Sequence, residues 1–236
     1  MIDLEVEQID KILKKIKNDP EPGNVKKIER DMWKTIRDKA LTGRRTGLGV
    51  TAVGDTLASL GIQYGSEKSI GVVEKIYKTL AVSAYRSSCI MAKERGSFPI
   101  HDHSREEGHP FLERIWAECE KTRKMNNVSG RRNISILTTA PAGSVSTLTQ
   151  TTSGIEPAFM LKYTRRRKIS QSSESKEFDF IDDLGDCWKE YDVYHHGFKK
   201  WMDISGQSEI ESSPYYMSTA NEIDWKSRVK LQAAAQ

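Results

Sequence analysis

Apolar residues recur at helical spacing along most of this chain. In residues 2–18, Ile2, Leu4, Ile9, Ile12, Leu13 and Ile16 stand among charges, which predicts an amphipathic helix that PEPG at 20–23 ends. A second helix is predicted from about Val25 to Leu41, carrying Ile28, Trp33 and Ile36, with Gly43 as its stop. Ser66 opens the longest helix, which runs to about Arg95 with Ile70, Val73, Tyr77, Leu80 and Ala84 on one face and Gly96 just beyond. Residues 111–123 repeat the pattern with Phe111, Leu112, Ile115, Trp116 and Cys119. Residues 178–203 also read as helical, and so do Asn221 to Gln236, where Thr219 and Glu222 have capping-box spacing. Neither Gly nor Pro follows LQAAAQ, which reads as an end inside a helix. Alternation of period two is confined to residues 133–139 and to MLKYTRRRK at 160–168, and a short buried strand is expected around Leu48 to Val53.

Composition narrows the classes. A chain of 236 residues with 37% apolar content can bury a substantial core. Its net charge of +4 is too mild to argue for nucleic acid, although anionic small ligands remain permitted. Cys89, Cys119 and Cys187 are far apart with no paired spacing, so neither a disulfide framework nor a zinc ribbon is indicated, and a reducing compartment is the natural reading. No apolar run approaches the roughly 18 residues of a membrane span, and MIDLEVEQ is acidic rather than a basic leader. Cytoplasmic location and no membrane partner are therefore expected.

The stretch TTAPAGSVSTLTQTTSGIEP, Thr138 to Pro157, has almost no charge in a chain that is 30% charged. A strand feeding a Pro-Ala-Gly-Ser turn that starts a helix lets backbone N–H groups and small hydroxyls meet an anion. Gly143 gives the backbone room, and Ser144 and Ser146 can add donors; an ordinary serine-capped turn is an equally good reading of the residues alone. It is not a Walker motif, since no GK[ST] follows. In GRRTGLGVTAVGD, Gly47, Gly49 and Ala52 satisfy G-x-G-x-x-A, but Thr-Gly-Arg-Arg-Thr precedes it instead of an apolar strand, so close packing of strand and helix is expected.

His101, Asp102, His103 and His109 lie in the loop SFPIHDHSREEGHP and are read as solvated rather than metal-binding. For His195 and His196, packing and surface hydrogen bonding are the default on a helix. RRRK at 165–168 puts half of its charge on each side of an alternating strand. A nucleic-acid reading would need a concentrated positive face with exposed aromatics; none is expected. Cys119 reads as structural, and nothing beside Cys89 or Cys187, both placed on helices, would lower a thiol pKa.

GRRTGLGVTAVGD, AYRSSCIMAKERGSF, GRRNISILTTAPAGSVSTLTQTTSGIEPAF, DFIDDLGDCWKEYDVYHHGFKKWM and SPYYMSTANEIDWKSRVKLQAAAQ, in that order, resemble the later part of the catalytic chain of adenosylcobalamin-dependent, class II ribonucleotide reductases. The resemblance implies an α/β fold, a helix-rich part of a ten-stranded barrel, with residues 1–236 a single piece of that domain, open at both ends. It implies that Ala142, Gly143, Ser144, Val145 and Ser146 seat the phosphates of a ribonucleotide substrate. The family commonly has Thr directly after the proline; Ala142 stands there instead, so one hydroxyl contact is not carried over while the backbone donors remain.

The family's thiyl chemistry uses a cysteine in Asn-x-Cys-x-Glu and two further reducing cysteines. The pattern is absent from this sequence, and Cys89, Cys119 and Cys187 match none of those roles. The resemblance therefore implies no catalytic residue in this piece, adenosylcobalamin as a cofactor without assignable contacts, and a need for the remainder of the reductase chain or a complementary split chain. A non-catalytic nucleotide-binding or structural relic of the same fold is the alternative.

Overall fold

The structure, a computed structural model, describes residues 1–169 and 178–236. In chain order the elements are α1 (Ile2–Asn18), α2 (Gly23–Gly43), α3 (Val53–Ser59), α4 (Glu67–Arg95), α5 (Pro110–Glu118), α6 (Glu120–Ser129), α7 (Gly143–Thr149), β1 (Lys162–Lys168), β2 (Phe180–Ile181), β3 (Cys187–Tyr194), α8 (His196–Ser205) and α9 (Trp225–Ala235). They group into two compact units, one of Met1–Gly49 with Ile76–Thr139 and one of Val50–Lys75 with Ala140–Gln236.

In the first unit α1 packs against α2, burying Ile2, Val6, Ile9 and Ile16 at the spacing expected of one helical face. Arg37 of α2 binds Asp10 of α1 at 2.8 Å. The core lies between α4 and α5: Ala81, Ala84, Tyr85 and Cys89 meet Leu112, Ile115 and Trp116, with Ile136 closing the cluster. Tyr85 contacts Phe111 and Trp116 edge-on, the arrangement favoured by ring quadrupoles.

Two expectations change in this unit. The helix predicted over 111–123 is broken at Cys119, whose φ of −153° and ψ of 87° are not helical. Thr122 ties the break together, its amide donating to the Cys119 carbonyl at 2.9 Å and its hydroxyl lying 3.1 Å from the sulfur. The strands expected at 48–53 and 133–139 shrink to a parallel bridge, Leu48 with Leu137, supported by hydrogen bonds from Leu48 N–H to the Ile136 carbonyl and from Thr138 N–H to the Leu48 carbonyl. Leu48 is 47% exposed and Val53 already opens α3, so this strand is neither buried nor as long as its apolar residues suggest. The approach is tight: a Cβ on Gly49 would lie 2.5 Å from the Thr138 carbonyl oxygen, which explains this glycine without any nucleotide.

In the second unit a three-stranded antiparallel sheet has the order β1-β3-β2. MLKYTRRRK forms β1 as its alternation predicts. The helix predicted over 178–203 is a correction: residues 180–194 form β2, a tight turn and β3, and helix begins only at His196. The turn is built by Asp182, whose carboxylate accepts from the amides of Leu184 and Asp186 and from the Trp188 indole, while Gly185 takes φ +81°. DDLGD is thus a turn signal that the apolar spacing of Phe178, Ile181 and Leu184 masked. Cys187 accordingly lies on a strand and not on a helix.

Phe198 of α8 is buried against Ala58, Ala158, Leu161 and Tyr215. The last helix starts later than expected. Thr219 and Glu222 do meet, the Thr219 hydroxyl donating at 2.7 Å, but they close a turn, and Asp224 caps α9 by accepting from the amides of Lys226 and Ser227.

Candidate functional site

The site lies wholly in the second unit and starts at the uncharged turn. Ala142 leaves extended geometry with φ −115° and ψ 36°, its amide held by the Ser153 hydroxyl at 3.2 Å, and α7 begins at Gly143. Ser146 closes the first helical hydrogen bond to the Ala142 carbonyl at 2.7 Å. Among the described residues the amides of Gly143, Ser144 and Val145 meet no acceptor. At a helix start such groups point outward, where they carry part of the positive end of the helix dipole. Gly143, Ser144 and Val145 are exposed, and nothing lies within 4 Å of a Cβ built on Gly143.

The hydroxyls divide into two sets. Ser146 is buried and donates to the Gly143 carbonyl at 2.9 Å; Thr147 does the same, and Thr149 turns to the Val145 carbonyl. These three hydroxyls are engaged by carbonyls of the helix itself. The Ser144 hydroxyl is exposed and has no partner among the described residues. Of the five residues named from the sequence, the turn thus brings together Gly143, Ser144 and Val145 as outward donors, with Ala142 and Ser146 closing it from behind.

Behind the turn, residues 152–155 run beside the start of α3. Ala52 N–H donates to the Thr152 carbonyl at 3.1 Å and Val53 N–H to the Gly154 carbonyl at 3.2 Å, and Ala52 takes the left-handed φ of 64° to do so. Asp55 fastens this segment. Its carboxylate accepts the Thr152 amide at 2.8 Å and the Tyr215 hydroxyl at 2.8 Å, and one oxygen lies 2.7 Å from His195 Nε2. Burial by itself would raise the Asp55 pKa, but the hydrogen bond and charge of His195, the Thr152 amide and the Tyr215 hydroxyl outweigh it and hold the carboxyl below its ordinary range. Burial beside Asp55 pushes the Tyr215 phenol well up, so it stays a donor.

The reading of His195 as a packing and hydrogen-bonding residue holds, whereas His196 is exposed at the start of α8. Asp55 and Tyr215 gave no sequence signal; Asp55 sits inside the glycine-rich stretch that was weighed for its glycines. A cavity of about 570 Å³ adjoins this hub, lined among others by Tyr64, Ser153, Glu156, His195, Arg228 and Leu231.

The thiols lie elsewhere in the fold. Burial pushes Cys89, fully enclosed, up to about 11. The Thr122 hydroxyl lowers Cys119. Among the described residues no group of three or more His, Cys, Asp or Glu side chains could hold a metal, and no helix is long and apolar enough to cross a membrane. Of the loop histidines read as solvated, His103 and His109 are exposed, but His101 is largely buried, its Nε2 3.5 Å from the Glu106 carboxylate.

Comparison with known proteins bears on this arrangement. Residues 23–236 match the family described as ribonucleotide reductase, barrel domain. This chain belongs to the ribonucleotide reductase barrel-domain family. The match takes in α2 onward and every residue of the turn and of the Asp55 hub. The mixed α/β, helix-rich structure fits a portion of that barrel.

The chain is 30% identical over 138 residues to a vitamin B12-dependent ribonucleoside-diphosphate reductase of Mycobacterium tuberculosis (strain CDC 1551 / Oshkosh), covering 58% of this chain and 17% of that protein. It is 27% identical over 197 residues to a protein of the same description from Thermoplasma acidophilum, covering 82% and 23%. To a ribonucleoside-diphosphate reductase subunit alpha of Chlamydia pneumoniae it is 28% identical over 139 residues, covering 50% and 13%. The barrel-domain chain therefore spans less than a quarter of these relatives' length.

Proposed function

We propose that this chain is the substrate-phosphate portion of a class II ribonucleotide reductase, residues 1–236 forming one piece of its barrel domain. The enzyme it belongs to converts ribonucleotides, of the diphosphate class named for its relatives, to deoxyribonucleotides in the cytoplasm. The observation that carries this reading is the trio of unengaged amides at Gly143, Ser144 and Val145 on an uncharged turn. A diphosphate brought there accepts from these N–H groups and from the Ser144 hydroxyl at short range, with no side-chain charge to neutralise it in advance. Asp55 holds the following segment, so the donors are set before substrate arrives.

Adenosylcobalamin, the radical source suggested by the vitamin B12-dependent relatives, supplies a carbon radical when bound. The thiols present do not fit its partner: Cys89 is sealed in the first unit's core, Cys119 sits at a helix break and Cys187 on a sheet strand. No radical step is assigned to these residues. The remainder of the barrel, in the same or a complementary chain, has to bring the thiyl cysteine and the reducing pair. The same lack of a fitting thiol supports a second reading, a nucleotide-binding relic without turnover.

Two measurements test this. Because a Cβ on Gly143 meets nothing within the protein, Gly143→Ala should leave the melting temperature unchanged or slightly raised, Ala being the better helix former by up to about 1 kcal/mol. It should weaken a ribonucleoside diphosphate about tenfold, the methyl group standing where the phosphate approaches. In NMR titration the amides of Gly143–Val145 should shift with the diphosphate and not with the bare nucleoside; unmoved amides would remove the seat. Separately, mixing the chain with a polypeptide bearing Asn-x-Cys-x-Glu, adenosylcobalamin, a dithiol and a ribonucleoside diphosphate should yield deoxyribonucleotide. Binding without product favours the relic.

A further inference from the structure

The two faces of the β1–β3 ribbon are not alike. In an antiparallel pair directly opposed residues share a face. The register puts Lys162, Thr164, Arg166 and Lys168 together with Trp188, Glu190, Asp192 and Tyr194 on one face, and Tyr163, Arg165 and Arg167 with Lys189, Tyr191 and Val193 on the other. On the first face every cation has its acid: Lys162 with Asp192 at 2.8 Å, Arg166 with Glu190 at 2.7 Å and Lys168 with Asp186 at 2.5 Å. Arg166 also lies over the Phe180 ring, 5.0 Å from its centroid, and Phe180 stacks on Trp188. That face is saturated.

The opposite face carries Arg165 and Arg167 on β1, with no carboxylate at any paired position of β1 and β3. Arg165 and Arg167 have no ion pair or hydrogen bond to their side chains among the described residues. Tyr163 and Tyr191, each 42% exposed, stand on the same face in diagonal positions, with Arg165 directly opposite Tyr191. β1 is exposed along its whole length and is an edge of the sheet. A ribbon charged only for solubility would interleave acids on both faces; the nearest described acid in register on this face is Asp179, beside Lys189 at the far end from Tyr163 and bound to the Glu190 amide, so Arg165 and Arg167 face none.

We propose that this face binds single-stranded nucleic acid. The chemistry selects that ligand in three steps. The surface is an exposed ribbon with β1 at its edge, along which an extended strand can lie. Arg165 and Arg167, two residues apart on one strand, are spaced by about 6.6 Å, close to the separation of successive phosphates in an extended strand. The tyrosine rings beside them give unstacked bases a π-face between guanidinium groups, the combination that makes sequence-tolerant single-strand sites. The mild net charge of +4 does not oppose this, because the positive field is local. It is the concentrated, aromatic-bearing positive face that RRRK by itself did not supply.

Fluorescence anisotropy of a labelled oligothymidylate of about fifteen nucleotides, titrated with the full chain at several salt concentrations, tests the assignment. Saturable binding is expected, weakening with salt. Arg165→Ser with Arg167→Ser should weaken it about tenfold and flatten the log–log salt dependence by about 0.7 for each lost phosphate contact. Arg165→Lys with Arg167→Lys should keep that slope. Tyr191→Ala and Tyr163→Ala should each weaken binding about fivefold or more with the slope unchanged, since stacking releases no counterions. Arg166→Ser with Lys168→Ser, on the saturated face, should change affinity by less than about twofold. Melting curves check that each variant is folded. Absence of saturable binding at low salt overturns the proposal, as does equal sensitivity of the two faces. Equal competition by polyglutamate with no effect of the tyrosines also overturns it, reassigning the face to acidic polypeptides.

Discussion

Asp55→Ala is expected to destabilise the second unit by about 3–5 kcal/mol, the range for stripping one member from a buried, hydrogen-bonded charged group. Three donors converge on the carboxylate, from Thr152, His195 and Tyr215, and alanine leaves all of them facing a void. A loss of that size lowers the melting temperature by about 10 °C in a chain of this length. Asp55→Asn should cost less, because it keeps one acceptor. The pH profile separates these effects. The Asp55 pKa is lower folded than its ordinary 3.8, so the stability it contributes is complete above that value and disappears as pH falls through the folded one. The asparagine variant should therefore show a flatter acid limb in denaturation measured from pH 7 down to 2. A variant within about 1 kcal/mol of the wild type, with the same acid limb, would show that Asp55 is no hub. Because Thr152 anchors the segment behind α7, Asp55→Ala should also broaden the amide signals of Gly143–Val145.

The other large effect belongs to the first unit. Arg131 is buried, its guanidinium forked onto the Glu106 carboxylate, with Nε donating to the Asn133 carbonyl at 3.1 Å. It lies over the Phe98 ring at 5.5 Å and the Tyr85 ring at 5.7 Å. Arg131→Ala should cost about 3–5 kcal/mol, since it removes the cation from two ring faces and leaves the Glu106 carboxylate in low-dielectric surroundings without its partner. Changing both residues to methionine should be far milder than the sum of the single changes, because no orphaned charge remains. Urea denaturation followed by Trp116 fluorescence reads both. Additive single and double losses would mean the pair is not coupled.

Much of the architecture was legible in the chain itself. The first helix, the long α4 and the strand MLKYTRRRK were predictable because their apolar or alternating positions repeat a local period. The turn into α7 was legible because Pro, Gly and Ser specify backbone geometry within a few residues. The hairpin of β2 and β3 was missed for a local reason: apolar residues at helical spacing competed with an Asp-Gly turn, and pairing with β1 decided the outcome. The helix break at Cys119 had no Gly or Pro to announce it.

The Asp55 hub was out of reach of any local pattern. Its partners lie 97, 140 and 160 residues away along the chain, and each is an unremarkable polar residue where it stands. The same holds for the charged ribbon. Alternation tells that Arg165 and Arg167 share a side of β1, but which side holds the acids depends on the register with β3.

Residue order by itself determined the helical periods, the uncharged glycine-serine turn, and the absence of any Asn-x-Cys-x-Glu pattern, since each is written in adjacent residues. Only the tertiary structure decided which hydroxyls of that turn face outward, which carboxylate holds it in place, and which face of the ribbon keeps its positive charge. Those outcomes depend on contacts between segments brought together by burying apolar surface, a process without sequence periodicity.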